Sequence, residues 1–346
     1  MSFSVGIVGL PNVGKSTLFK ALTKKEVAIS PRPFTTINPN FGQVSVPDER
    51  LEKVAEIIKP EKITPTVIEF VDIAGLVKGA HKGEGLGNQF LAHIKNCDAI
   101  LEVVRVFEDP GVENVLGEIN PEKEIEIVKV ELLMKDLEVL ENSIPKLEKK
   151  EDKKTSKKIE ILKRIKEGVA EGKLISEMPF SDGEKLEIKE FQFLTQKPSF
   201  YVLNVNEKPS KILLGKTWES KFLAINLKEE EEISELSEEE KKELEVESKL
   251  DRLIKACYDI LDLITFFTVA GGKEVRAWTL KRGEGAPEAG GVVHSDFREK
   301  FIKAEVIPWQ SLVKAGSWSK SREKGFLQIA GREYIVQDGD VIEFKI

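Results

Sequence analysis

Eight residues near the start of the chain, Gly9-Leu10-Pro11-Asn12-Val13-Gly14-Lys15-Ser16, stand between an apolar run, "FSVGIVGL", and a helix-forming run, "KSTLFKALTK". A strand that turns through two glycines into a helix with Lys-Ser at its start matches the phosphate-binding loop in full. The glycines let the backbone curl so that its amides face an anion, and the positive end of the helix assists. This arrangement restricts the fold to an α/β sheet, because the strand must end where the helix begins.

The rest of the chain agrees with that restriction. "TVIEFVDIAG", "LGNQFLAHIKN", "AILEVVRVF", "SFYVLNV" and "KFLAIN" are continuous apolar strands or helices in alternation, which implies a mostly parallel sheet covered on both faces. Residues 125–195 interrupt the alternation. There Val130, Leu133, Leu137, Leu140, Ile144 and Leu147 recur every three or four residues, followed by Leu162, Ile165 and Val169, the seam of a coiled-coil hairpin. From about 265 short strands and Gly turns take over, and Asp338-Gly339 signals a hairpin. The expected domains are therefore 1–124 with 196–264 (nucleotide-binding), 125–195 (helical hairpin) and 265–346 (small and β-rich).

Composition excludes several classes. With 53 Lys plus Arg against 60 Asp plus Glu, the net charge of −7 argues against a protein coated in basic charge. Cys97 and Cys257 stand far apart, so neither a disulfide framework nor a zinc site is implied. No signal peptide is evident, and no apolar run reaches the ~18 to 20 residues that span a bilayer, so a soluble cytoplasmic protein without a membrane partner is expected. One stretch is locally basic: residues 146–166 hold ten basic and four acidic side chains, a surface suited to nucleic-acid phosphate. Near the C-terminus Lys314, Lys320, Arg322 and Lys324 surround Trp318, a mixture of charge and aromatic ring that suits RNA equally well.

The chemistry is concentrated in three places. In the loop, Lys15 bridges β and γ phosphates, Ser16 ligates Mg²⁺, and Asn12, Val13, Gly14 and Thr17 complete the nucleotide contacts. Asp72, ending a strand, holds Mg²⁺ through water, while Gly75 on the following turn senses the γ phosphate. Between them "PFTTINPNFG" offers Thr35 or Thr36 to the metal. Leu76 occupies the position at which Ras-like proteins carry a water-orienting Gln, so unaided hydrolysis is expected to be slow. His81, in the Gly-rich "KGAHKGEG", is a candidate for placing water, although an idle loop histidine is the commoner case. His93 has no assigned role.

Asn204-Val205-Asn206-Glu207 stands where a GTPase carries Asn-Lys-x-Asp. The Asp of that motif accepts two hydrogen bonds from guanine, and Glu207 sets its carboxylate one methylene farther out. Asn204 can still bond a purine N7 and, through its carbonyl, an adenine amino group; Val205 supplies an apolar wall. ATP is thus expected over GTP, by a modest margin of about 1 to 3 kcal/mol.

Gly9 to Ser16, "FTTINPN", "DIAGLVKGAHKGEGLGNQFL", "NVNE" and the C-terminal "RAWTLKRGEGAPEAGGVVHSDFREKFIKAEV" together resemble the Obg-like ATPases of the YchF subfamily, over essentially the whole chain. The resemblance implies a P-loop NTPase domain with an inserted helical hairpin and a C-terminal TGS domain. It implies a nucleoside triphosphate hydrolase preferring ATP and associating with the ribosome, the large subunit in particular, as a translation-related switch. It assigns Thr36 to Mg²⁺ and lets Asn12 help hold a K⁺ ion. Relatives carry a His where this chain has Asn114, so a mechanism needing that residue is in doubt here. Two other readings remain: a GTP-specific ribosome assembly GTPase, and a nucleotide-gated ribosome- or RNA-binding protein whose hydrolysis is incidental. A monomer is the default.

Overall fold

The computed structural model describes residues 3–24, 40–73, 86–149, 153–206 and 222–346. By contact the chain divides into two units, Phe3–Gly42 with Glu69–Leu250 and Gln43–Ile68 with Asp251–Ile346.

One six-stranded sheet runs in the order β2-β4-β1-β5-β6-β7. Its strands are β1 (Ser4–Val8), β2 (Asn40–Ser45), β4 (Val67–Asp72), β5 (Ala99–Arg105), β6 (Ser199–Asn204) and β7 (Phe222–Ile225), while β3 (Lys62–Thr64) belongs to the other sheet. β1 is parallel to β4 and β5, and β6 to β5 and β7. β1 and β5 are buried at every residue, which is why their sequences are apolar without alternation. The register sets Ile7 beside Asp72 and Arg105 beside Asn204, so the carboxyl ends of β1, β4, β5 and β6 share one edge. Ligands of open parallel sheets bind at that edge. Helix α1 (Lys15–Lys24) leaves it directly and buries Leu18, Ala21 and Leu22 on one face.

The hairpin is built from α4 (Pro121–Glu148) and α5 (Lys153–Ala170), with α6 (Asp182–Ile188) laid against them. Asn120 caps α4 by accepting from the Lys123 amide, and Pro121 occupies the first turn, where its missing N–H costs nothing. The seam holds Leu133, Leu140 and Ile144 against Ile161, Leu162, Ile165 and Val169, with Leu137 and Leu147 at its margin. Each fully buried Leu or Ile contributes about 1.5–3 kcal/mol. Val130 departs from the expected seam and is exposed. The helix root is rotated: Ile125 packs with Val104, Tyr201 and Leu203 of the sheet, so Val130 falls on the outer face. Asp136, 1% exposed, ties α4 to the approach to β6 by accepting from the Leu194 amide at 2.7 Å, the Thr195 amide at 2.8 Å and the Thr195 hydroxyl at 2.7 Å.

The second unit carries a sheet ordered β11-β10-β12-β8-β9-β3, with β8 (Leu263–Ala270), β9 (Glu274–Lys281), β10 (Lys303–Pro308), β11 (Gln328–Ala330) and β12 (Asp340–Lys345). By contact this unit takes in Gln43–Ile68 and Asp251–Ile346. α2 (Glu49–Ile58) buries Leu51 and Val54 against Phe267, Val275 and Ile307, and β3 pairs with β9 in parallel. Three residues of strand sitting some two hundred positions before their partner give no local signal. Asp338-Gly339 forms a turn, with Gly339 at φ 90° beneath the Trp309 ring, but it closes no hairpin: β12 pairs with β10 and β8 instead of β11. The residue pair specifies the turn, whereas strand partners are chosen by distant side chains. The hairpin of this unit is β8–β9, turned by Gly271 and Gly272 at φ 56° and 78°.

Asp136→Ala leaves two buried amides without acceptors and is expected to cost about 3 kcal/mol by urea denaturation at pH 7. Burial raises the Asp136 carboxyl to about 6 despite its three hydrogen bonds. The proton-linked part of its stabilisation is therefore full below the unfolded value of 3.8 and is lost as pH rises through about 6, while the hydrogen bonds it accepts persist in the carboxylate. Wild type should lose stability relative to Asp136→Asn across that window.

Candidate functional site

At the edge where β1 ends, Gly9 takes φ 145° and a Cβ there would collide with the Val103 carbonyl oxygen. Gly14 takes φ 108°, and a Cβ would stand 2.5 Å from Asn204 Nδ2. Both positions demand glycine for conformation and for space. Asn12, at φ 64°, supplies a third left-handed turn from a residue type that tolerates it.

Lys15 is buried, and its Nζ donates to the Leu10 carbonyl oxygen at 2.7 Å across the loop. Burial pulls its ammonium down to about 8, against the attraction of Asp72 and Glu124. An incompletely neutralised ammonium at a cavity wall favours an anion. The Ser16 hydroxyl donates to Asp72 Oδ2 at 3.2 Å, and burial raises the Asp72 carboxyl against that hydrogen bond and the Lys15 charge. A hydroxyl and a carboxylate oxygen side by side fit Mg²⁺, which takes hard oxygen ligands and completes its shell with phosphate and water. Among the described residues no cluster of three acidic, His or Cys side chains exists to hold a metal alone. The donor set thus suits an ion that arrives with phosphate.

Lys15 and Ser16 line a cavity of about 600 Å³. Asn12, Gly14, Lys15, Ser16 and Thr17 form its phosphate-loop wall; Val13 is buried in the core and does not line it. Phe107, Glu108, Asp109 and Val112 come from the segment after β5, Asn204, Val205 and Asn206 from the end of β6, and Asn226, Leu227 and Lys228 from the start of α7 (Leu227–Ile233). Asn204 reaches the cavity chiefly as a strut. Its Nδ2 donates to Val13 O at 2.9 Å and its Oδ1 accepts from the Leu227 amide at 3.2 Å. That carbonyl keeps a second lone pair for the expected adenine amino group, and one amide hydrogen remains for a purine nitrogen.

Thr35, Thr36, Gly75, Leu76, His81 and Glu207 lie outside the described residues. Asn114 accepts from the Leu116 amide and donates to Glu118 O, each at 2.8 Å, so its side chain is closed into a turn. His93 is on α3 (Leu86–Lys95), does not line the cavity, and is held below its usual value by burial. Sequence reading missed Phe107, Val112, Arg105 and the α7 start. An Arg ending a wholly apolar strand was the available signal, since a buried guanidinium must be met by several acceptors. It also missed a buried acidic pair. Glu124 accepts from the Arg105 amide at 3.0 Å and is raised to about 7 by burial, and Glu102, fully buried beside it, is raised well above the usual carboxylate range by burial and by Glu124.

The basic surfaces are weaker than their composition. Lys158 pairs with Glu187 and Glu190, Lys163 with Glu148, Arg164 with Glu184 and Lys166 with Glu141. Four of these acids lie outside the 146–166 window, which is why counting within it overstated the charge. Among the described residues Lys146, Lys149 and Lys157 make no ion pair. In the second unit Trp318 packs into the core with its indole N–H buried and unpaired, and Arg322 pairs with Glu305 at 2.6 Å. The indole of the expected stacking platform is partly buried against the core; Lys314, Lys320 and Lys324 remain exposed.

A family model described as 50S ribosome-binding GTPase matches residues 4–143, and the YchF GTPase C-terminal model, described as a protein of unknown function, matches 263–346. The ribosome-binding ATPase YchF of Bacillus subtilis is 45% identical, covering 100% of this chain and 99% of that one. The chain belongs to the YchF family. Its counterpart in Haemophilus influenzae is 44% identical over the same shares. The solved YchF GTPase of Schizosaccharomyces pombe superposes with a TM-score of 0.87 at 34% identity, covering 99% of this chain and 98% of that one. Full-length coverage at this score confirms the expected architecture: a G-domain fold of mixed α/β construction, the helical hairpin, and a β-rich C-terminal region. For a YchF chain the engaged Asn204 carries a consequence. Asn204→Asp sets a carboxylate oxygen against the Val13 carbonyl, whereas Asn204→Ala only removes the strut, so the melting temperature of the nucleotide-free protein should fall further for Asp than for Ala. An Asp variant as stable as wild type would refute the strut.

Proposed function

We propose that this chain is an Mg²⁺-dependent ATPase that works at the ribosome. The observation that carries the reading is one cavity that joins Lys15 and Ser16, whose hydroxyl bonds Asp72 behind it, to an apolar base end of Phe107, Val112, Val205 and Leu227. Lys15 leaves the Leu10 carbonyl for β and γ phosphate oxygens, which return to the ammonium what burial removed. Ser16 and Asp72, with Thr36, would hold Mg²⁺, which supplies charge neutralisation between the phosphates when bound. Gly75 senses the γ phosphate. Val205 and the ring of Phe107 give a purine an apolar bed, and the spare Asn204 amide hydrogen reaches its N7.

With Leu76 at the water-orienting position, turnover is slow until a partner acts. Asn12 donates to Glu113 O at 3.3 Å, and its carbonyl oxygen, which accepts no hydrogen bond among the described residues, is the atom available to K⁺. Equal hydrolysis rates in K⁺ and Na⁺ would remove that role. Similarity to the ribosome-binding ATPase YchF of Bacillus subtilis and the exposed arm lysines support a ribosomal partner, and the 50S ribosome-binding family model supports the large subunit; a cytoplasmic monomer is the working form of this reading. GTP is the competing substrate, since the solved S. pombe relative is a YchF GTPase.

Lys15→Ala should lower hydrolysis to background, a loss of at least about a hundredfold. A non-hydrolysable ATP analogue should bind roughly tenfold tighter than its GTP counterpart, equivalent to about 1.4 kcal/mol. Calorimetric titration in Mg²⁺ decides between them, and a clear GTP preference overturns the ATPase reading.

A further inference from the structure

The end of β5 holds a cation that the phosphate chemistry does not use. Arg105 is 3% exposed, and its guanidinium donates to four main-chain carbonyls of the segment that follows. Nε bonds Phe107 O at 3.2 Å, Nη1 bonds Glu113 O at 3.1 Å, and Nη2 bonds Val112 O at 3.0 Å and Asp109 O at 3.4 Å. The same group lies over the Phe107 ring, 4.4 Å from its centroid. Phe107 and Val112 line the nucleotide cavity, and Asn12 of the phosphate loop donates to Glu113 O, the carbonyl that Arg105 also holds. Four carbonyls converging on one buried point require a planar, multiply donating cation.

We propose that Arg105 is a positioning residue of the nucleotide site, fixing residues 107–113 as the wall against which the base rests. The inference depends on the ATPase reading above. Lys15, Ser16 and Asp72 stand on other elements and make no hydrogen bond to the guanidinium, so Arg105 is assigned to base affinity rather than to the phosphate step. Lysine offers a point charge on a flexible stem and cannot reach four carbonyls at once while stacking on Phe107. Glutamine offers two donors and no charge.

The test is steady-state ATP hydrolysis by the full chain, wild type against Arg105→Lys and Arg105→Gln, with melting temperatures for each. A raised KM with kcat retained reports lost uniform binding, which a general loss of structure would not give. Expected is a KM for ATP raised about tenfold or more in Arg105→Gln, an intermediate rise in Arg105→Lys, and kcat within about threefold of wild type in both. An unchanged KM, or a fall in kcat without a rise in KM, overturns the proposal. Should Arg105→Gln fail to fold, Arg105→Lys decides alone: a raised KM supports the assignment and an unchanged one removes it. Wild type that turns over no ATP sinks the functional reading instead, and wild type that prefers GTP leaves the Arg105 comparison to be read with GTP.

Discussion

The structure depends on keeping a single ammonium group out of water. Lys15 is held at the sheet edge by the Leu10 carbonyl, with Asp72 and Glu124 as countercharges. A neutral carbonyl compensates burial only in part, which is why the ammonium loses protons more easily than an exposed lysine. A loop that satisfied this charge completely would leave a triphosphate little to add. The strand edge, the left-handed glycines and the neighbouring carboxylates therefore serve one end: a cation kept available for a ligand.

Around that cation the site is assembled from parts distant in sequence. The phosphate loop reaches the end of β6 through Asn204 and the segment after β5 through Asn12, while Arg105 gathers that segment's carbonyls. Glu124, in the first turn of α4, accepts from the Arg105 amide and feels the Lys15 charge. The root of the helical arm is thereby fastened to the backbone of the same wall.

Legibility in the sequence followed the range of the interactions. The loop at 9–16, the apolar strands and the Leu133–Ile144 seam are set by local spacing, and the structure carries them. Arg105 and Phe107 gave no pattern because their meaning lies in carbonyl directions. The strut made by Asn204 was not legible, since nothing local announces the Val13 carbonyl and the Leu227 amide as its partners. Trp318 and the arm lysines misled for a related reason: side-chain identity was visible, but neighbours such as Glu305, Glu187 and the core under Trp318 were not. β3 is three residues long and its partner β9 lies far downstream, so no window could join them.

The contact between Gly14 and Asn204 also limits how such a protein can be redesigned. A methyl group at one position meets the amide of the other at 2.5 Å, so phosphate grip and base-side geometry are inherited together. Neither can be altered by a single exchange without disturbing both. Nucleotide preference is therefore adjustable only through positions free of that contact, such as Val205 and Val112. A laboratory campaign to change the base would do best to leave 14 and 204 fixed and vary the two apolar walls.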